Sequence, residues 1–156
     1  MSCRERIEAF LRDNQASYQV QHHPVAYTAQ ETAAAEHIPG KTLAKTVMVF
    51  ADNNLVMLVL DATHQVDLAK GASAIGAGQV KLAREEEFSG SFPDCEVGAM
   101  PPFGNLYGIP VYVDKALTAE ESIVFESGVH TETMSMKYAD YERLVKPKVC
   151  EFARRW

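Results

Sequence analysis

The chain has 156 residues, 47% of them hydrophobic, and a formal net charge of −6. That balance suits one domain with a sizeable core and excludes a disordered chain. It also excludes a grip on nucleic acid spread over the whole surface, and no apolar stretch nears the roughly 20 residues that cross a bilayer.

Ser2 and Glu5 form a capping box ahead of Ile7, Phe10 and Leu11, which predicts a short amphipathic helix ending near Asp13-Asn14. The opening Met1-Ser2-Cys3-Arg4-Glu5-Arg6 has no apolar segment of the secretory kind. Tyr18 to His22 reads as extended, and Pro24 stops it. Thr28 and Glu31 repeat the capping pattern before an alanine-rich helix over Ala29 to His37, closed by Pro39-Gly40.

Two apolar runs follow, Lys45 to Ala51 and Leu55 to Leu60, with Asp52-Asn53-Asn54 between them as turn chemistry. They predict an antiparallel hairpin covered on both faces. Val66 to Lys70 reads as a short helix, Gln79 to Leu82 as a strand, and Arg84 to Phe88 as a helical turn. After a Gly/Pro-rich loop come strands over Ile109 to Val113, Ser122 to Glu126 and Thr133 to Lys137. A last helix carries Tyr141, Leu144 and Val145 on one face and is interrupted at Lys146-Pro147. Short strands and helices without regular β-α-β alternation predict an α+β fold. Its sheet is mixed and mostly antiparallel, flanked by short helices, in a single domain over 1–156.

Cys3, Cys95 and Cys150 are odd in number and lack metal-ligand spacing, so reduced thiols in a cytosolic protein are the simplest expectation. Basic residues gather near the two ends: Arg4, Arg6 and Lys41, then Lys146, Lys148, Arg154 and Arg155. Solvated surface charge accounts for such residues without a ligand. Glu85-Glu86-Glu87 would repel phosphate and is expected to face elsewhere.

Three segments carry the chemistry. Lys45 opens the run Lys45-Thr46-Val47-Met48-Val49-Phe50, and an amine beside a core strand is costly unless something polar or anionic meets it. The bland alternative is a stem packed on apolar neighbours with its amine in water. Gly98-Ala99-Met100-Pro101-Pro102-Phe103-Gly104 is a stiff loop: two prolines fix φ and remove donors, and glycines open unusual dihedrals. It reads either as a rigid connection or as a preorganised wall. Gly128-Val129-His130-Thr131 is a turn that presents an imidazole and a hydroxyl. No G-x-S-x-G, Walker A or G-x-G-x-x-G pattern is present, and His22, His23, His37 and His64 lack metal-site spacing.

In this order the three segments, with Ala139-Asp140-Tyr141 opening a terminal helix, resemble the YbaK / prolyl-tRNA-synthetase-associated domain family. These domains hydrolyse mischarged aminoacyl-tRNA. The resemblance runs from the first helix to about Pro147. It implies that Lys45 is the essential lysine meeting the acceptor end of the tRNA, that Gly98 and Pro102 are the Gly-x-x-x-Pro pair, and that His130 lines the pocket. It implies no metal or other cofactor. Water would attack the ester carbonyl, assisted by a ribose hydroxyl of the terminal adenosine.

On this reading Lys45, Gly98 and His130 are the catalytic candidates. Met100, Pro101, Pro102 and Phe103 form a size-limiting wall, with Gly128, Tyr27, Thr28 and Val47 completing the lining. The expected activity is trans-acting removal of a small amino acid (alanine, serine, threonine or cysteine) from mischarged tRNA, tRNA-Pro above all. A synthetase or elongation factor is a possible helper, the setting is cytoplasmic, and no membrane is involved. A binding module for a nucleotide or RNA end, and a hydrolase of small esters or thioesters, are the competing readings.

Overall fold

The computed structural model describes residues 1–155, so Trp156, the last residue of the expected domain, lies outside the described residues. Helix α1 (Cys3–Asp13) starts at the capping box that the sequence announces: Ser2 Oγ accepts from the Glu5 N–H and Glu5 answers at the Ser2 N–H. Its Cys3, Ile7 and Leu11 face inward. After β1 (Tyr18–His22), Thr28 caps α2 (Ala29–Ala35).

β2 (Ala44–Ala51) and β3 (Asn54–Asp61) form the expected hairpin, with Ala51 opposite Asn54. The two residues between them, Asp52 and Asn53, both take positive φ (48° and 72°), as a primed two-residue turn requires. Asp52 also accepts from the Gly78 and Gln79 N–H groups at 3.0 and 2.9 Å, which brings in the next strand.

The expected helix over Val66 to Lys70 is corrected. His64–Val66 is a strand, β4, and the helix α3 (Leu68–Ile75) begins only after Asp67, whose side chain accepts from the Lys70 N–H. β5 (Val80–Leu82), α4 (Glu85–Phe88), β6 (Val111–Asp114), β7 (Ser122–Glu126), β8 (Glu132–Lys137) and α5 (Tyr138–Val145) lie close to their expected places. Two short strands, β9 (Lys148–Cys150) and β10 (Ala153–Arg155), complete the chain.

The largest sheet has the order β5-β2-β3-β6-β9; a second has β1-β8-β7, and β10 pairs with β4. The β3–β6 and β6–β9 ladders are parallel and the other ladders antiparallel, so the fold is α+β with a mixed, mostly antiparallel sheet. The near-continuous apolar run of β3 has a plain cause. Met57 and Val59 enter a core shared with α1, α5 and the β1-β8-β7 sheet, whereas Val56, Leu58 and Leu60 enter a second core with Phe152. A parallel bridge between Leu43 and Val124 ties the two larger sheets together where β2 begins.

The thiol expectation is also corrected: Cys3 and Cys95 form a disulfide, with Cα atoms 5.3 Å apart, and Cys150 is free. The cause is tertiary. The N-terminal turn of α1 docks on the segment just before Gly98, within the span a disulfide bridges, and a sequence separation of 92 gives no local sign of it. No helix among the described residues is long and apolar enough to cross a membrane.

Candidate active site

The start of β2, the Gly/Pro loop and the end of β7 meet around one cavity of about 160 Å³. Its lining includes Tyr27, Lys45, Thr46, Gly98, Met100 and Glu126. Lys45 is half-buried there. Burial lowers the pKa of its amine, and the nearby Asp61 carboxylate pulls the other way. Two of the three segments singled out in the sequence therefore share a cavity wall, although 53 positions separate Lys45 from Gly98.

The loop is held from several sides. Thr46 Oγ1 donates to the Met100 carbonyl at 3.2 Å, and the Glu96 N–H donates to the Gly128 carbonyl at 2.7 Å. Behind the prolines, the Tyr141 hydroxyl donates to the Pro102 carbonyl at 2.7 Å. Gly98 sits at φ +87°, a conformation that favours glycine, and its N–H meets the Met100 thioether at 3.2 Å. A thioether is a weak acceptor, so a substrate oxygen can compete for that donor.

His130 stands directly behind this rim. Its Nε2 lies 2.9 Å from the Val97 carbonyl oxygen, and its ring packs on Tyr27 with centroids 4.9 Å apart. Its Nδ1 faces Glu126 Oε2 at 3.7 Å. The imidazole thus supports the cavity wall from the far side of Gly98.

Other expected lining residues lie elsewhere. The Phe103 N–H bonds back to the Pro101 carbonyl at 2.8 Å, a three-residue turn that sends Phe103 away from Met100. Phe103 is fully buried and meets Phe10, Phe125 and Tyr141 edge-on. Of the four-residue wall, Met100 reaches the cavity, while Pro101 and Pro102 are buried in the turn behind it. Val47 packs against the second core alongside Val49, so its side chain is committed there. Gly128, at φ +109°, is backed by Cys3, and a Cβ there would overlap that residue. Thr28 serves as the cap of α2.

The sequence reading missed Glu126. Burial pushes its carboxyl up to about 8, opposed by the Thr32 hydroxyl and reinforced by the charges of Glu96 and Glu36. The cue was available: Glu126 closes the apolar run Ile123-Val124-Phe125 as Lys45 opens its own. Behind it lies a second buried polar group, with His23 Nε2 3.5 Å from Glu36 Oε2 and the Thr133 hydroxyl donating to that oxygen at 2.6 Å.

For a metal ion, one acidic and thiol-rich cluster comes together among the described residues, Cys3, Asp94 and Cys95. Its sulfurs are joined to each other, and Asp94 accepts from Arg6 and from Tyr107, both at 2.8 Å, so the cluster does not fit a bound ion.

Fold and cavity together define a small α+β domain with a lysine-bearing pocket rimmed by a Gly/Pro loop. The family model for the aminoacyl-tRNA editing domain matches residues 23–144, a span that holds Lys45, Gly98, Glu126 and His130. The chain belongs to that family.

Among its relatives, the Multifunctional Ser/Thr-tRNA deacylase ProXp-y of Escherichia coli K12 is 28% identical, over 96% of this chain and 92% of the relative. A proline--tRNA ligase of Acidithiobacillus ferrooxidans is 35% identical over 91 residues, which are 58% of this chain and 16% of the ligase. A crystal structure described as a candidate trans-editing enzyme for prolyl-tRNA synthetase superposes with a TM-score of 0.83 at 18% identity, covering 99% of this chain and 98% of the other. A second, of hypothetical protein APE2540, gives 0.85 at 16% identity, over 96% and 99%. These two speak for the fold alone.

Proposed function

We propose that the chain is a trans-acting aminoacyl-tRNA deacylase, which hydrolyses the ester of a mischarged tRNA carrying a small amino acid. One observation carries the reading: within an editing-domain fold, a half-buried lysine and the Gly98 rim face the same small cavity. The size of that cavity favours a compact aminoacyl side chain. Small side chains are the ones a synthetase rejects poorly by affinity, since one methylene is worth about 1–3 kcal/mol.

The chemistry asks little of the protein. An aminoacyl ester is already activated, so positioning and modest oxyanion stabilisation suffice. Lys45 meets the anionic acceptor end, and the Gly98 N–H offers a donor to the ester oxygen. Water attacks the carbonyl, with a ribose hydroxyl of the terminal adenosine as the assisting group. Alanine, serine, threonine and cysteine are the proposed amino acids, and tRNA-Pro the proposed carrier. The relatives named for serine and threonine deacylation and for prolyl-tRNA synthesis favour serine, threonine and that carrier within this set. With a net charge of −6, binding rests on a short contact with the acceptor end and weakens steeply with salt. A synthetase or an elongation factor is the proposed helper in tRNA selection.

A panel of mischarged tRNAs, scored for amino-acid release, tests this. Lys45→Ala is expected to slow release by about 100- to 1,000-fold, the range for loss of one charge-stabilising donor. Unchanged turnover in that variant removes Lys45 from the mechanism. Saturable RNA binding without cleavage of any panel member would overturn the deacylase reading, as would turnover of small esters that added tRNA does not inhibit.

A further inference from the structure

Glu126 and His130 face each other through the two atoms that each leaves unsatisfied. Glu126 Oε2 and His130 Nδ1 are buried, and neither has a hydrogen-bond partner among the described residues. They stand 3.7 Å apart, on side chains 13% and 9% exposed. The other ring nitrogen is committed: Nε2 lies 2.9 Å from the Val97 carbonyl oxygen. A carbonyl only accepts, so Nε2 carries the hydrogen. In a neutral imidazole Nδ1 is then a lone pair.

Two lone pairs that face each other in a buried site repel, and each group is left with its desolvation penalty. One proton between them, carried by the Glu126 carboxyl and donated to Nδ1, removes both problems. The surroundings hold it there. Glu36, at the end of α2, and Glu96, before the rim, both disfavour a carboxylate at Glu126. The Thr32 hydroxyl lies 3.5 Å from Glu126 Oε1 and 3.1 Å from the Thr28 carbonyl. Lys45 and Tyr27 share the cavity that Glu126 lines, and His23 is turned to Glu36 instead. Hydrogen bonds in unliganded sites are often long and tighten with substrate in place.

We propose that Glu126 is a positioning residue: it shares one proton with His130 Nδ1 and so holds the imidazole that anchors the Val97 carbonyl and, next to it, the Gly98 rim. The inference rests on the deacylase reading, because the rim is where the ester is expected to sit. It has a direction in pH. Removing the shared proton leaves a carboxylate facing a lone pair, pushes the ring away from Glu126 and loosens the rim, so the rate falls on the alkaline side.

Glu126→Gln separates this role from simple packing. The amide offers an oxygen to Thr32 and an N–H to Nδ1, as the protonated acid does, but does not titrate. After subtraction of spontaneous ester hydrolysis, wild-type kcat is expected to decline as pH rises through about 8. Glu126→Gln is expected to keep its neutral-pH kcat within about threefold and to lose that decline, whereas Glu126→Ala lowers kcat by about tenfold or more at every pH. Nitrogen-15 NMR of the His130 ring reads the same proton without any activity. The expected result is Nε2–H in wild type and in Glu126→Gln, with a ring response near pH 8 in wild type alone. An alkaline limb that survives in Glu126→Gln, or an Nδ1–H ring in wild type, overturns the proposal. If wild type releases no amino acid from any tRNA, the deacylase reading fails, and the ring spectra still decide the shared proton.

Discussion

Phe125 and Glu126 are neighbours on β7, yet they belong to two different kinds of interior. Phe125 points into the main core, where it meets Phe103 edge-on and no buried side-chain polar atom among the described residues lacks a partner. Glu126 points the other way, into a wall where Glu126 Oε2, His130 Nδ1 and His23 Nε2 are buried without hydrogen bonds. One strand thus separates a face built for stability from a face that tolerates unmet polar atoms. Buried polar groups are usually satisfied, so the contrast sets the side of the sheet that lines the candidate site apart from the core without reference to any ligand.

The sharpest way to break the comparison is to damage the stable face. Phe103→Ala removes the ring that bridges Phe10, Phe125 and Tyr141 and is expected to lower unfolding free energy by about 3–5 kcal/mol in urea titrations. Turnover per folded molecule should change little, because Phe103 is turned away from the cavity. A variant that keeps its stability but loses its activity would put Phe103 back into the wall.

Next in size is the clamp between α1 and the loop. Replacing Cys3 and Cys95 together by serine releases a closure across 92 residues. The expected loss is about 2–4 kcal/mol by thermal or urea unfolding. Equal stability before and after reduction would mean that the α1 packing alone holds the segment in front of Gly98.

The smallest effect compares two glycines. Gly98 and Gly76 both take positive φ, +87° and +80°. Alanine at either is expected to cost about 1–2 kcal/mol of stability. A Cβ at Gly98 would sit 3.4 Å from His130 Cε1, while one at Gly76 meets nothing within 4 Å. Only Gly98→Ala should therefore slow deacylation. Equal kinetic losses in both would deny the rim its special place.

What could be read in the sequence followed from how local each cue is. The hairpin, the capping box of α1 and the unusual position of Lys45 are all written within a few residues, and the structure has them where they were expected. Phe103 was misread because adjacency to Met100 was taken for a shared direction; the turn at Pro101-Pro102 reverses it. The Cys3–Cys95 pair depends on how α1 docks, which no spacing encodes. β4, β9 and β10 are three residues each and carry too little alternation to stand out. Glu126 was legible by the rule applied to Lys45, a charge at the end of an apolar strand, and was passed over as an ordinary strand end.

Asp114, at the end of β6, has a consequence for the far end of the chain. Its Oδ1 accepts from the Phe152 and Ala153 N–H groups at 2.9 and 3.0 Å, and its Oδ2 from the Ala116 N–H at 3.1 Å. Phe152, fully buried, plugs the underside of the large sheet. The family match stops at residue 144, but the folding unit does not. A protein trimmed to the matched span would retain every residue of the cavity while stripping an internal anion of two of its donors and opening a hole beneath Leu58 and Leu60.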